Sequence, residues 1–367
     1  MRLLYITNQI CGAAGLERVL SIKATYLADK LGYEIHIITL NQGDTPLFYE
    51  FSNKLIYYDI TASGNPVAYI RSYIKNLRRK VKEIKPDVIS VCDDGLKAFF
   101  LPYILGKPVP MVYERHVSKN IEVQTENISL LKKVKTSFIH SLMNFLGRKY
   151  DTFVVLTRDN LGEWNLPNLA VISNPLSFYP DVVSELNNKT VLAVGRQSFQ
   201  KGYDRLLKSW KIIAEKYPDW KLNIFGKIEK GEPYQKLSEE LGVHRSVSFH
   251  EPVKNIGDQY KASSIYVMSS RFEGFGMVLI EAMAYGVPCI SYNCPCGPQE
   301  IITEGDDGFL VNNGDVEDFA KKIEKLIIDK SVRLEMGVKA RKKASKYLPD
   351  EIVPQWDILF KKLTTKT

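Results

Sequence analysis

No apolar run in this 367-residue chain reaches the roughly 18 residues that a membrane-spanning helix requires, so no such helix is expected. Cysteine is scarce: Cys11, Cys92, Cys289, Cys294 and Cys296 are odd in number and irregularly spaced. Cys294-Pro-Cys296 has no second pair and no nearby histidine, so free thiols are expected rather than a metal cage or a disulfide framework. An Asp-x-Asp at a strand end is also missing. Asp93-Asp94 and Asp306-Asp307 are adjacent pairs, whose side chains point apart on an extended chain. No short repeat or low-complexity tract is present. The basic residues are not interleaved with aromatics in any nucleic-acid module, which disfavours a nucleic-acid partner. The opening MRLLYITNQI meets Asn8 and Gln9 too soon for a secretory signal and reads as a first strand, so a cytoplasmic location is expected.

What is present is the composition of an ordinary globular protein, 45% hydrophobic and 25% charged, long enough for two domains with separate cores. The net charge of +8 is uneven: residues 1–180 hold 22 Lys and Arg against 16 Asp and Glu, and residues 181–367 hold 28 against 26. Two segments carry the excess. Tyr69–Lys85 sets Ile70, Ile74, Leu77, Val81 and Ile84 at helical spacing with Arg71, Lys75, Arg78, Arg79 and Lys82 elsewhere on the wheel, and reads as a core-facing stripe with a solvated back. Leu130–Tyr150 combines Lys132, Lys133, Lys135, Arg148 and Lys149 with Phe138, Ile139, Leu142, Met143, Phe145 and Leu146. It is apolar on more of its circumference, which suits peripheral contact with an anionic membrane or a lipid acceptor.

Strand-like and helix-like runs alternate through both halves, the signature of α/β domains with mostly parallel sheets. The expected strands are Leu3–Thr7, Glu34–Leu40, Leu55–Asp59, Asp87–Cys92, Val109–Tyr113 and Thr152–Leu156. The second half adds Thr190–Val194, Lys221–Phe225, Val247–Phe249, Ser264–Ser269, Pro288–Ser291 and Phe309–Val311. Ser173–Asn188, with two prolines and no helical period, reads as the linker, giving domains 1–175 and 176–349. Pro349–Lys362 reads as a final helix with Ile352, Trp356, Leu359 and Phe360 on an apolar face.

The most informative stretch is Arg271-Phe-Glu-Gly-Phe-Gly-Met-Val-Leu-Ile-Glu281 and the residues up to Pro288. It reads as a strand end, a glycine turn at Gly274 and Gly276, and a helix from Met277 that stops at Gly286. A helix opened by a glycine turn presents unpaired N–H groups and suits a phosphate. Glu273 and Glu281 flank that turn as acceptors for hydroxyl groups. After Thr190–Val194 come Gly195-Arg196 and Lys201-Gly202. These fixed cations lie at the C-terminal end of a parallel strand, where open α/β sheets bind anionic ligands. Arginine's planar fork and lysine's point charge together suit a diphosphate.

These residues resemble the retaining glycosyltransferases of family 4. The resemblance rests on EGFGMVLIE, Gly-Arg…Lys-Gly and NCPCGPQEII…DDGFLV, on Gly15-Leu-Glu-Arg-Val-Leu20, and on Asp151–Thr157 with Ser173-Asn-Pro175. It covers nearly the whole chain. It implies a GT-B fold, two Rossmann-like doubly wound domains facing across a cleft, with residues 350–367 packing back on an N-terminal acceptor-binding domain. The implied activity is transfer of a sugar from a nucleotide-diphosphate sugar, UDP-linked, to a glycan or lipid-linked acceptor in surface polysaccharide synthesis, with retention and without a metal or other cofactor. By resemblance the catalytic residues are His116, Arg196, Lys201 and Glu273. Gly15, Gly226, Lys227, Val253, Phe275, Gly276, Met277, Val278 and Glu281 would hold the donor, Glu281 on the ribose. Where the family has His followed by Asp or Asn, Val117 follows here, and Ala14-Gly15 replaces its Gly-Gly pair. Two other readings stand beside this one: a GT-B sugar-nucleotide epimerase, and a non-catalytic peripheral membrane module.

Overall fold

The computed structural model describes residues 1–119 and 130–365. The main-chain contacts divide the chain into two compact units. Of the described residues, the first comprises 1–117, 130–177 and 349–365; the second comprises 118–119 and 178–348.

The strands of the first unit are β1 (Arg2–Thr7), β2 (Glu34–Leu40), β3 (Ile56–Ile60), β4 (Val88–Cys92), β5 (Met111–Glu114), β6 (Thr152–Val155) and β7 (Leu169–Val171). They form one parallel sheet in the order β3-β2-β1-β4-β5-β6-β7. The second unit holds β8 (Thr190–Val194), β9 (Lys221–Phe225), β10 (Val247–His250), β11 (Ile265–Met268), β12 (Cys289–Asn293) and β13 (Gly308–Asn312). These make a parallel sheet in the order β10-β9-β8-β11-β12-β13. Both orders are Rossmann-like, with a reversal beside the first strand of the unit, and ligands in such sheets sit beyond the strand C-termini at that reversal. In chain order the helices include α1 (Gly15–Asp29), α2 (Pro66–Ile84), α3 (Leu130–Gly147), α4 (Tyr203–Lys216), α5 (Met277–Ala284) and α6 (Pro349–Thr364).

The central apolar runs form strands because they are covered on both faces, whereas the outer strand β3 is largely exposed. β4 and β6 are buried along their whole length, as parallel strands between helices must be. Each unit has its own core, one around Leu77, Phe99, Tyr113 and Phe153 and the other around Trp210, Ile224, Val267 and Phe319. α2 begins where Pro66 takes the first helical position and the Asn65 side chain accepts from the Ala68 N–H. Tyr73, Leu77, Val81 and Ile84 face inward, while Ile70, expected in the same stripe, is 55% exposed. β7 was not anticipated: Leu169–Val171 is too short, and only half-buried, to stand out as an apolar run. α6 packs on α1 and β4 through Ile352, Val353, Trp356 and Phe360, all buried.

Candidate active site

In the second unit the loops after β8, β9 and β10 are laced through the main chain. The Gly195 N–H donates to the Phe225 carbonyl at 2.8 Å, Gly226 N–H to the His250 carbonyl at 2.9 Å, and Gln197 N–H to the Lys227 carbonyl at 3.0 Å. The close approach needs glycine: Gly226 has φ of 151°, and a Cβ there would lie 2.1 Å from the Gly195 oxygen.

A short 3-10 turn, Phe199–Lys201, follows and delivers Lys201. Its Nζ donates to Glu273 Oε1 at 2.7 Å, and Ser270 Oγ donates to the same oxygen at 2.5 Å. Glu273 is buried, and its backbone N–H donates to the Pro295 carbonyl. Arg271 fastens the two loops together. Its guanidinium meets both oxygens of Asp204 at 2.9 Å, donates to the Phe199 carbonyl at 2.8 Å and lies 4.0 Å from the Phe199 ring centroid. Burial alone would raise the Asp204 pKa, but the bonds from Arg271 leave it below the ordinary carboxylate value. Arg196 differs from Lys201: it is exposed, and its guanidinium has no partner among the described residues.

α5 starts beside this pair. Gly276, at φ of 99°, is its N-cap and has no side chain to occupy the first-turn N–H groups. Met277 and Val278 are half-buried in that first turn, and Phe275 is buried edge-on to the Tyr347 ring. Glu281 lies one turn further in, fully buried, and its Oε2 accepts from the Tyr260 hydroxyl at 3.0 Å. The structure thus joins Lys201 and Glu273 in an ion pair, where the sequence suggested separate tasks. Arg196 lies on the first of these loops, while Val253 is exposed on the loop after β10. An exposed guanidinium, an ammonium with one carboxylate already on it, and an uncapped helix start form a set that can offset the charge of a polyanion. Cys294 and Cys296 are buried and in no disulfide, and burial pushes the Cys294 pKa well up, so the Cys294 thiol is not a reactive thiolate.

In the first unit Gly15 opens α1 and is exposed. The Glu17 carboxyl lies against the preceding loop, where a Cβ on Gly12 would come within 2.5 Å of its Oε1, and burial raises its pKa. His116 follows β5. Its N–H donates to Asp94 Oδ1 at 3.0 Å, its Nε2 lies 3.3 Å from Glu114 Oε2, and its Nδ1 is buried without a partner among the described residues. Glu114 is also buried; Ser90 Oγ donates to its Oε1 at 2.5 Å and Lys23 Nζ to its Oε2. Burial alone would raise the Glu114 pKa, but Lys23 and His116 hold it down to about 2. Cys92, Glu114 and His116 bring donor atoms within 4.8 Å of one another. The set does not suit a cation, because the Lys23 ammonium already supplies positive charge to that carboxylate. The two acidic pairs are also occupied. Asp93 accepts from Asn8 and the Gly95 N–H, and Asp307 from the Thr303 N–H, while Asp306 pairs with Lys339.

Sequence reasoning passed over Arg271, Asp204, Ser270, Lys23 and Glu114. A signal existed for two of them. Lys23 stands in the apolar stripe of α1 among Val19, Leu20, Ala24 and Leu27, and Glu114 closes an otherwise apolar strand. Charges at such positions demand a partner. Nothing local marks Arg271 and Asp204, which are 67 residues apart.

A family model described as glycosyl transferases group 1 matches residues 180–343. An uncharacterized glycosyltransferase of Haemophilus influenzae is 31% identical over 361 residues, spanning 96% of this chain and 97% of that protein. The amylovoran biosynthesis glycosyltransferase AmsD of Erwinia amylovora is 29% identical over 376 residues, spanning 98% and 99%. Among solved structures, Anabaena HepE in complex with UDP-glucose superposes with a TM-score of 0.78 at 18% identity, over 99% of this chain and 100% of that one. That likeness supports the GT-B fold, to which the two parallel sheets conform. Because a glycosyltransferase 31% identical is matched over 96% of this chain, the chain belongs to the glycosyltransferases.

Proposed function

We propose that the protein transfers a sugar from a UDP-linked donor to a glycan or lipid-linked oligosaccharide in surface polysaccharide assembly, retaining the anomeric configuration and using no metal. One observation carries the donor half: Lys201 is locked to Glu273 at 2.7 Å beside the uncapped start of α5, with Arg196 unpartnered on the same strand end. Cleaving a glycosyl–diphosphate bond places negative charge on the leaving group, and preorganised cations and N–H groups stabilise it without reorganising. Lys201 supplies a point charge whose position Glu273 and Ser270 fix. Arg196 supplies a fork free to grip phosphate oxygens. In this reading Glu273 keeps its second oxygen for a donor-sugar hydroxyl, and Glu281 binds the ribose. Gly226, Lys227 and Val253 hold the base through the main chain and Phe275–Val278 line the diphosphate path; Gly15, in the first unit, is also assigned to the donor.

His116 is assigned to the transferred sugar. Its unpartnered Nδ1 is a buried polar atom that a ligand hydroxyl would satisfy. Retention follows, in this proposal, from reaction on one face of the sugar, with the departing phosphate oxygen assisting the acceptor hydroxyl. Support for the donor class comes from the UDP-glucose bound by HepE, and for the pathway from the amylovoran biosynthesis for which AmsD is named. On the acceptor side, α3 leaves Val134, Phe138 and Phe145 60% or more exposed beside exposed Lys133 and Lys135. Apolar side chains flanked by lysines suit an anionic lipid surface, and this is the peripheral contact we assign to it.

The test is a thermal-shift panel of UDP- and GDP-sugars, followed by acceptor-dependent turnover of whichever stabilises. A ligand at 100 times its Kd adds about 2.7 kcal/mol. The expected result is a raised melting temperature with UDP-sugars, abolished by Arg196→Ala. No shift with any sugar nucleotide would remove the donor assignment.

A further inference from the structure

The first unit contains a buried ion pair that the assigned chemistry does not use. Lys23, on α1, and Glu114, at the end of β5, are each 1% exposed at the side chain. Glu114 has its Oε1 taken by Ser90, and its Oε2 is shared between Lys23 Nζ and His116 Nε2. Beyond Lys23 lies α6: the ammonium sits 3.8 Å from the ring centroid of Trp356 and 5.2 Å from that of Tyr5. An ion pair in such a place is not explained by stability. Two apolar side chains of similar volume would serve as well or better, because both charges lose their hydration. What an apolar pair could not do is accept a hydrogen bond from His116.

We propose that Glu114 is a positioning residue for His116, with Lys23 and the Trp356 face of α6 holding its carboxylate in the ionised form, so that the ring is fixed with its proton on Nε2 and a bare acceptor at Nδ1. This rests on the sugar-transfer reading only for what meets Nδ1. An ionised carboxylate has no proton to give, so across the 3.3 Å contact Nε2 is the donor. In the neutral ring Nδ1 then has a lone pair and no hydrogen. It is buried and unpartnered. It can therefore accept from a ligand hydroxyl but cannot donate to an ether or carbonyl oxygen, which makes Glu114 a determinant of hydroxyl recognition without touching the ligand. The Asp94 bond to the His116 N–H fixes the backbone, and Glu114 fixes the ring. A second group orienting the first by its far nitrogen is the usual way proteins choose a histidine tautomer.

The test uses the full chain and the double variant Lys23→Met/Glu114→Leu, which removes both charges together and leaves no unpaired ion in the core. Three quantities are read: the melting temperature, long-range ¹H–¹⁵N correlations of the His116 ring (assigned by their loss in His116→Gln), and kcat against KM with a sugar nucleotide. The expected result is a double variant that melts close to the wild type. Its His116 ring no longer shows a single Nε2–H tautomer, and its kcat falls about tenfold or more, as for lost outer-shell partners of a working histidine. In a His116→Gln background the double substitution should cause no further loss of kcat. If the pair were merely structural, the double variant would regain stability, tautomer and turnover together, and the proposal would be overturned. A wild-type ring protonated at Nδ1 would overturn it as well. Should no sugar nucleotide be turned over by the wild type, the ring spectra still decide the tautomer claim, so the two readings fail separately.

Discussion

Arg196 and Lys201 are both assigned to the leaving diphosphate, yet their surroundings predict different consequences for Arg196→Ala and Lys201→Ala. Arg196 is exposed and has no partner among the described residues, so its truncation should change stability by no more than about 0.5 kcal/mol. Its loss should remove about 2–4 kcal/mol of transition-state stabilisation, the range for a lost preorganised donor to a developing anion. That corresponds to a fall in kcat of about 30- to 900-fold. Lys201→Ala should lose a similar factor and carry a second penalty. Glu273 is 6% exposed and would keep only the Ser270 hydroxyl on the oxygen that Lys201 now serves. Leaving a buried acceptor short of its charged partner costs about 1–3 kcal/mol. For a unit of this size that lowers the melting temperature by about 2–12 °C. The assay is steady-state transfer from a UDP-sugar, with thermal melts of both variants in the absence of ligand. Near wild-type kcat in Arg196→Ala would refute the charge assignment. An unchanged melting temperature in Lys201→Ala would refute the view that the pair is built into the resting site. Activity lost on chelation and restored by manganese would show that a metal carries the charge instead.

Other expectations follow from the same contacts. Glu114 has its pKa depressed from 4.5 to about 2, so the stability linked to its ionised form is fully present above about pH 4.5 and lost as pH falls toward 2; this pH-linked difference is about 3 kcal/mol relative to the protonated carboxyl, and is not a net gain over an apolar pair. Melts at pH 6 and pH 3 should show a steeper acid loss in the wild type than in Lys23→Met/Glu114→Leu; parallel losses would contradict the pairing. Arg271→Lys keeps the charge but loses the fork on Asp204 and the stacking on Phe199, so turnover should drop about tenfold while the Kd for free UDP changes less. Equal changes in both would place Arg271 on the nucleotide. Phe138→Ser/Phe145→Ser should abolish co-sedimentation with anionic vesicles at low salt without altering the melting temperature; retention on vesicles would mean that α3 is only a solvated face.

The sequence alone determined the parallel α/β plan, because strands buried on both faces must be written as short apolar runs. Of the twelve expected strands, all but Val109–Tyr113 and Pro288–Ser291 match to within a residue at each end. It also marked the turn into α5, since Gly276 at φ of 99° leaves little choice of residue. It could not show β7, whose three half-buried residues carry no period. Nor could it show the pairings that build the site. Lys201 and Glu273 are 72 residues apart, Lys23 and Glu114 are 91 apart, and Arg271 finds Asp204 only through the order of strands. Local chain preference acts over a few residues, whereas a charge buried in a parallel sheet takes its partner from whatever strand or helix the topology lays beside it. Which cation is held by a carboxylate, which is left open to solvent, and which nitrogen of His116 keeps its proton were therefore decided by the folded sheet and not by the motifs.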